Sequence, residues 1–444
     1  MRFAIATLGC KVNQYDSAMI EARLRALGME RGEFGAAADI YIVNTCTVTD
    51  RADAESLRIA RRARRINPNA RVIMTGCLAQ ANPASLARAR EVDAVVGLGR
   101  PGDLERAAVG SASERVMVTD LRKERGAIEL GAVTLEGRTR AFLKLQEGCD
   151  QFCTFCIVPF SRGKSRSVEP RRVMAAIDEL TARGFKEVIL SGVHLGGYGK
   201  DLEPPIGLEA LLDMIAERAP IARVRISSLD PEELSDRIIA ILAQSEKFCP
   251  HLHLPLQAGD DWILSRMRRR YVTAHFGERL ERVLAALPDA AIGTDLIVGF
   301  PGETARHFDR YLKLVESLPI AYFHVFPYSV RAGTTAAKFS GRVAPDEIRR
   351  RAAVMRELGE AKRRAFAQRF VGRRLKVLFE EASARGRLQG YSRNYIRVAA
   401  DGGAELNNYE VEVEATFAEG AQLAGRIVQT EGWPRGASAV GSPG

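Results

Sequence analysis

The sequence predicts an α/β chain in three parts: an N-terminal parallel sheet, an incomplete (β/α)6 barrel and a small C-terminal antiparallel β-barrel. Three observations carry this reading. Strand-like and helix-like runs alternate over the first hundred residues, and the alternation resumes for six units from Thr139. Past about residue 370 it gives way to short strands bounded by Gly, Asn and Asp. At 444 residues the chain has room for about three domains.

In the first part the strand-like runs are 2–8, 39–44, 71–76 and 92–97, with helices near 14–28, 50–66 and 80–90. Alternation of this kind argues for parallel strands flanked by helices, and residues 1–105 are read as one domain. Periodicity fades after residue 98, so 106–138 is expected to be a linker. The barrel domain is placed at 139–368, with strands at 140–146, 186–191, 222–228, 250–256, 291–298 and 320–328. Six βα units leave it short of an eightfold closure. A long Arg-rich helix, about 345–370, leads into short runs at 371–380, 386–389, 394–398, 409–415 and 425–429. These predict a small β-barrel over 369–434, with 435–444 as a flexible tail.

Hydrophobic residues make up 46% of the chain and charged residues 27%, the balance of a globular protein. No apolar run approaches the roughly 20 residues of a membrane span, and the N-terminal apolar stretch is too short for a signal peptide. A cytoplasmic location is expected, where seven cysteines read better as metal ligands than as disulfides. The net charge of +10 is uneven: residues 341–400 hold 16 Lys/Arg against 6 Asp/Glu, and 401–444 hold 2 against 7. Between 362 and 397 there are eleven basic residues and two acids, which predicts a polyanionic partner better than one solvated helix face.

The cysteines are the most specific feature. Cys149, Cys153 and Cys156 are spaced Cys-x3-Cys-x2-Cys in the loop after the first barrel strand, where barrel enzymes place their chemistry. Three thiolates this close can hold three irons of a cubic 4Fe–4S cluster and leave the fourth iron open. Structural zinc wants four ligands, usually in two pairs, and no second Cys-x2-Cys exists here. Cys10, Cys46 and Cys77 follow the first, second and third strands of the N-terminal sheet. Ligands of an open parallel sheet bind beyond the strands' carboxyl ends. Each cysteine alone reads as core, but three in equivalent positions point to a second three-ligand cluster. Cys249, before Pro250, fits neither pattern and is expected to be a core residue.

The triple-cysteine spacing, with Phe155 before its last member, resembles the radical S-adenosylmethionine (radical SAM) superfamily. Over nearly the whole chain the motifs resemble the methylthiotransferase family. They include Leu8-Gly9-Cys10-Lys11-Val12-Asn13, Asn44-Thr45-Cys46, Thr75-Gly76-Cys77, the loop 148–163, His253-Leu254-Pro255-Leu256-Gln257 and Gly293-Thr294-Asp295. The resemblance implies a flavodoxin-like first domain with one 4Fe–4S cluster on Cys10, Cys46 and Cys77. It implies a radical SAM barrel with a second cluster on Cys149, Cys153 and Cys156, and a C-terminal TRAM barrel that grips RNA. S-adenosylmethionine would supply both the methyl group and the 5′-deoxyadenosyl radical.

Gly9–Asn13 and the run 191–199 resemble the subclass acting on N6-threonylcarbamoyladenosine, so the implied substrate is a tRNA anticodon stem-loop. The implied cofactor or substrate contacts are Phe155, Ser191, Gly192, Ser228, Gln257 and Asp295. Ser191-Gly192-Val193 stands where many radical SAM enzymes carry Gly-Gly-Glu, so the carboxylate that would hold the cofactor amine is missing. RNA contacts are expected at Arg363, Arg364, Arg373, Arg374, Lys376 and Arg393. Arg51, Arg58, Arg61, Arg62, Arg64 and Arg65 read equally as phosphate contacts or a solvated face, and His194 as a substrate or structural residue. An electron donor of flavodoxin or ferredoxin type and a monomeric enzyme are expected, with the sulfur source open. The alternatives are a methylthiotransferase for isopentenyladenosine or a ribosomal-protein aspartate, or a non-catalytic iron–sulfur RNA-binding protein. RNA affinity should fall steeply between about 50 and 200 mM salt, because each phosphate neutralised releases counterion. Salt-independent filter binding would exclude the basic C-terminal region as the grip.

Overall fold

The computed structural model describes residues 1–428 except 101, 113, 125–127, 129, 132–138 and 383–386. The expected tail, 435–444, lies outside the described residues.

The first sheet consists of β1 (Arg2–Thr7), β2 (Glu30–Arg31), β3 (Ile40–Thr45), β4 (Arg71–Gly76), β5 (Ala94–Val96) and β6 (Val116–Met117). Its order is β2-β1-β3-β4-β5-β6, every pair parallel. Every residue of β3 is buried, as its apolar run demands of a central strand covered on both faces. Thr49 accepts from the Ala52 amide and caps the helix Asp50–Ile66, whose first turn carries Asp50 and Asp53. Part of the expected linker belongs to this domain instead. The helix Asp103–Val109 packs Leu104, Ala107 and Ala108 into the core beneath the sheet, and β6 extends its edge. A two-residue strand is too short to show periodicity in sequence.

The barrel strands are β7 (Arg140–Glu147), β8 (Arg166–Ser167), β9 (Glu187–Gly192), β10 (Arg223–Ile226), β11 (His251–His253), β12 (Ala291–Val298) and β13 (Tyr322–Pro327). Six run parallel in the groups β10-β9-β7 and β11-β12-β13, and the short β8 returns antiparallel on β7. Of the expected strand 250–256 only three residues pair as strand; Pro250 and Pro255, without amide protons, bracket it. One large apolar core fills the barrel. The helix Pro345–Gln368 packs along β13, and Gly359 permits the approach: a Cβ there would lie 3.1 Å from the Phe323 ring.

The last domain comprises β14 (Arg374–Ala382), β15 (Arg387–Ser392), β16 (Arg397–Asp401), β17 (Glu410–Glu419) and β18 (Gln422–Ile427), closed in the order β14-β15-β16-β18-β17. All pairs are antiparallel except β16–β18. A ring of five strands cannot alternate direction throughout, so one parallel pair is unavoidable. The domain docks on the barrel through buried charge. Arg223 and Arg225, both fully buried, bracket the fully buried Glu187 at 2.8 and 2.9 Å. Arg223 also reaches Glu410 at 2.8 Å, and Arg225 donates to the Arg393 carbonyl at 2.9 Å.

Burial alone would push the Glu187 carboxyl up, but Arg225 and Arg223 outweigh it and hold it at about 2. On acidification the unfolded chain therefore takes up this proton first. The Glu187 contribution to stability is whole above about pH 4.5 and is lost as pH falls towards 2. Glu187→Gln would leave two buried guanidinium groups short of their counter-charge, and should cost about 3–5 kcal/mol in urea unfolding at pH 7. A loss below 1 kcal/mol would show that the interface does not depend on this carboxylate.

Candidate active site

Both cysteine trios sit where strands end and helices begin. Cys10 precedes the helix Lys11–Ala26, Cys46 follows β3, and Cys77 opens the short helix Cys77–Ala81 after β4. Backbone geometry brings them together. Gly9 has φ +94° and lies so near Cys46 that a Cβ there would be 3.0 Å from its Sγ. Asn13 donates to the carbonyls of Leu8 (2.7 Å) and Thr45 (3.0 Å), pinning the ends of β1 and β3. Thr45 Oγ1 accepts from the amides of Leu78 (3.1 Å) and Ala79 (3.3 Å), fixing the turn that carries Cys77.

In the barrel loop Gly148 has φ +75°, and a Cβ there would fall 1.8 Å from the Lys164 carbonyl oxygen. The chain turns at Gly148, and the Cys156 amide donates to the Cys153 carbonyl at 3.0 Å. Thr154 anchors the loop: its amide donates to the Met267 carbonyl (3.0 Å) and its hydroxyl to that of Arg266 (2.8 Å).

Each trio has one buried guanidinium on a sulfur. Arg162 Nε donates to Cys77 Sγ and Arg269 Nη1 to Cys153 Sγ, each at 3.2 Å. Burial raises the thiols, Cys46 to about 11 and Cys149 and Cys156 to about 12. Without a cation these sulfurs stay protonated near neutral pH, so loading with iron displaces protons. Among the described residues, neither trio belongs to the groups whose ligand atoms all lie within 4.8 Å of one another. One tetrahedral zinc, with Zn–S of about 2.3 Å, would draw its thiolates to within about 4 Å. Wider spacing with three sulfur donors fits a cluster in which each thiolate has its own iron.

A cavity of about 1180 Å³ opens between the three domains. Its walls include Cys10, Cys46 and Cys77 and all six expected contacts, Phe155, Ser191, Gly192, Ser228, Gln257 and Asp295. The thiols of Cys149, Cys153 and Cys156 are not among its walls; their loop reaches it through Phe155. Asp295 lies 3.1 Å from His253, and Gln257 holds a φ of +65°. Tyr391 and Tyr395 of the C-terminal barrel stack at 5.0 Å and, with Tyr322 and His324 of β13, add an aromatic wall. Lys11 also lines the cavity, its amine pressed down to about 8 by burial and by Arg225 and Arg140.

The expected RNA contacts separate. Arg364 and Arg374 are exposed, and Arg363 lines the cavity. Lys376 lies 3.6 Å from Glu246, and Arg373 is bidentate on Asp289. Arg393 is half-buried: it donates to Glu410 at 2.8 and 2.6 Å and to backbone carbonyls of the barrel, so it joins domains. Of the first-domain arginines, Arg58, Arg61 and Arg64 pair with Glu55, Glu91 and Asp93, while Arg51, Arg62 and Arg65 are exposed. His194 is held 2.6 Å from Glu233 and 3.1 Å from Gln151 and is not among the cavity-lining residues. Cys249 is buried in the core.

The profile of the uncharacterized protein family UPF0004 matches residues 2–97, and that of the radical SAM superfamily matches 143–315. The chain is 36% identical to the threonylcarbamoyladenosine tRNA methylthiotransferase MtaB of Bacillus subtilis, over 93% of each chain. The Aquifex aeolicus protein of that name is also 36% identical, over 91% of this chain and 98% of its own. This chain belongs to the methylthiotransferase family. The tRNA-2-methylthio-N(6)-dimethylallyladenosine synthase of Clostridium novyi is 32% identical, over 96% of each chain. In fold the chain is similar to the radical S-adenosylmethionine methyltransferase TsrM from Kitasatospora setae, solved with cobalamin and a 4Fe–4S cluster. There the TM-score is 0.55 at 14% identity, covering 73% of this chain and 74% of that one.

Sequence reasoning passed over Arg162, Asp16, Lys144, Glu147 and Arg269, which set the surroundings of the methylthiotransferase cysteines. Their signal was weak: Arg162 closes the cysteine-loop motif, and Arg269 sits in an ordinary Arg-Arg-Arg run. Anaerobically reconstituted protein should carry about eight irons, four per cubic cluster. Replacing Cys149, Cys153 and Cys156 with Ala should halve that number and abolish reductive cleavage of S-adenosylmethionine. Replacing Cys10, Cys46 and Cys77 should halve it and leave some cleavage. Unchanged iron after the second set would overturn the two-cluster assignment.

Proposed function

We propose that the chain transfers a methylthio group to C2 of N6-threonylcarbamoyladenosine 3′ to the anticodon in tRNA. On this reading it holds one 4Fe–4S cluster on Cys10, Cys46 and Cys77 and another on Cys149, Cys153 and Cys156. One observation carries the reading: the first trio and Phe155 of the second loop open onto one cavity large enough for a base beside a cofactor. S-adenosylmethionine, cleaved by one electron, supplies the radical that activates an unreactive carbon.

The protein's own part is to bind, orient and exclude water. The base leaves the anticodon-loop stack, which costs on the order of a few kcal/mol, and Tyr322, Tyr391 and Tyr395 offer rings to replace that stacking. Arg364 and Arg374 are exposed for the phosphates. Asp16, Lys144, Glu147 and Arg162 hold the two cysteine domains in register. The electron donor is of flavodoxin or ferredoxin type, and the enzyme works as a monomer in the cytoplasm.

Identity to relatives does not separate the substrates, since synthases named for dimethylallyladenosine are 32–37% identical and those named for threonylcarbamoyladenosine 34–36%. The motifs around Cys10 and His194 favour threonylcarbamoyladenosine. Purified enzyme offered tRNA bearing either modification should form methylthio product, read by mass, at least tenfold faster on the threonylcarbamoyl form. Preference for the isopentenyl form would transfer the assignment to that substrate.

A further inference from the structure

Two cations of the cavity wall have no direct ion-pair partner among the described residues. Lys11 and Arg363 both line the cavity. Neither makes a hydrogen bond or ion pair with another described residue; Arg363 only lies over the Tyr322 ring at 5.6 Å. The carboxylates that act on Lys11 from a distance are Glu187 and Asp295. Glu187 is already engaged by Arg223 and Arg225, and Asp295 lies 3.1 Å from His253; neither carboxylate makes a direct ion pair with Lys11. Arg225 and Arg140 add further positive charge near Lys11. Both Lys11 and Arg363 add to the positive charge felt by His324, which also lines the cavity. Arg363 stands exposed, but Lys11 is largely withdrawn from water, and an anion brought by a ligand relieves the cost of a buried cation without a direct partner.

We propose that Lys11, with Arg363 lining the same cavity, receives the carboxylate of the threonylcarbamoyl group and so selects the modified adenosine. The inference rests on the substrate class proposed above. An isopentenyl group has no anion to offer and would seal the ammonium away from water unpaired. The methionine end of S-adenosylmethionine also carries a carboxylate. Lys11, however, stands on the N-terminal domain beside Cys10, whereas Phe155, Ser191 and Gly192 lie on the barrel that would hold that cofactor.

The test compares anticodon stem-loop RNA bearing threonylcarbamoyladenosine with the same RNA whose carboxylate is replaced by a carboxamide. Wild-type protein should bind the carboxylate form about tenfold or more tightly in fluorescence anisotropy, and methylthiolate it with at least that preference. Lys11→Met should bring the two affinities within about twofold while leaving affinity for S-adenosylmethionine, measured by equilibrium dialysis, unchanged. Arg363→Gln should reduce the ratio by a smaller factor. Equal wild-type binding of the two RNAs overturns the inference even with methylthio transfer to threonylcarbamoyladenosine intact. Absence of any such transfer overturns the substrate reading, and this inference with it. Loss of S-adenosylmethionine binding in Lys11→Met, with RNA discrimination retained, assigns the carboxylate to the cofactor and also overturns it. Because Lys11 adjoins Cys10, iron is counted in each variant. The wild-type comparison stands whatever the variants retain.

Discussion

Four buried charges hold the site together. Arg162 donates to Asp16 at 2.7 Å and to Glu147 at 2.6 Å, and Lys144 donates to the same two carboxylates at 2.7 and 2.8 Å. Asp16 belongs to the first domain and the other three to the barrel. Burial opposes ionisation of Lys144, Glu147 and Arg162, yet the attraction wins: the Lys144 amine and the Arg162 guanidinium rise and the Glu147 carboxyl falls far below its usual range. Removing one partner from such a set typically costs about 3–5 kcal/mol, because another charge is stranded. Arg162 further reaches Asn13 Oδ1 at 2.6 Å as well as Cys77 Sγ. The same guanidinium therefore touches a sulfur of one trio and stands six residues after the last cysteine of the other.

A second charged seam fixes the C-terminal barrel, and it changes the meaning of the basic block. The excess of Arg between 362 and 397 suggested a polyanion partner, and the exposed Arg364 and Arg374 remain suited to one. Arg373 and Arg393 instead meet Asp289 and Glu410. A third seam lies beside Cys46, where Arg331, from beyond β13, pairs with Asp50 and reaches Asp53 at 2.6 Å. These contacts place the aromatic pair Tyr391 and Tyr395 at the cavity shared with the N-terminal cysteines, with Arg225 4.8 Å from the Tyr395 ring. The C-terminal barrel thus contributes part of the cavity wall.

Local signals were legible wherever chain geometry imposes a short period. The β3 run Ile40–Thr45, the helix at 50–66 and the Cys-x3-Cys-x2-Cys loop were visible because each depends on neighbours a few residues away. The helix Asp103–Val109 and the two-residue β6 were not, since their place comes from packing against the first sheet. The expected strand at 250–256 shrank for a local reason, its two prolines. The contacts of Arg393 were not legible because charge in sequence carries no sign of its partner, here Glu410, seventeen residues on, and barrel carbonyls far away.

The sequence by itself determined the three-part architecture, the family and the six cysteines, because strand and helix periods and ligand spacing are written in adjacent residues. Only the tertiary structure decided that the first trio and the second loop share a cavity, that Arg162 joins them, and that Lys11 lines it with no direct ion pair among the described residues. The physical reason is distance along the chain. Asp16 and Lys144, or Arg331 and Asp53, become neighbours only when separate domains pack. Whether a charge is neutralised depends on what burial brings beside it.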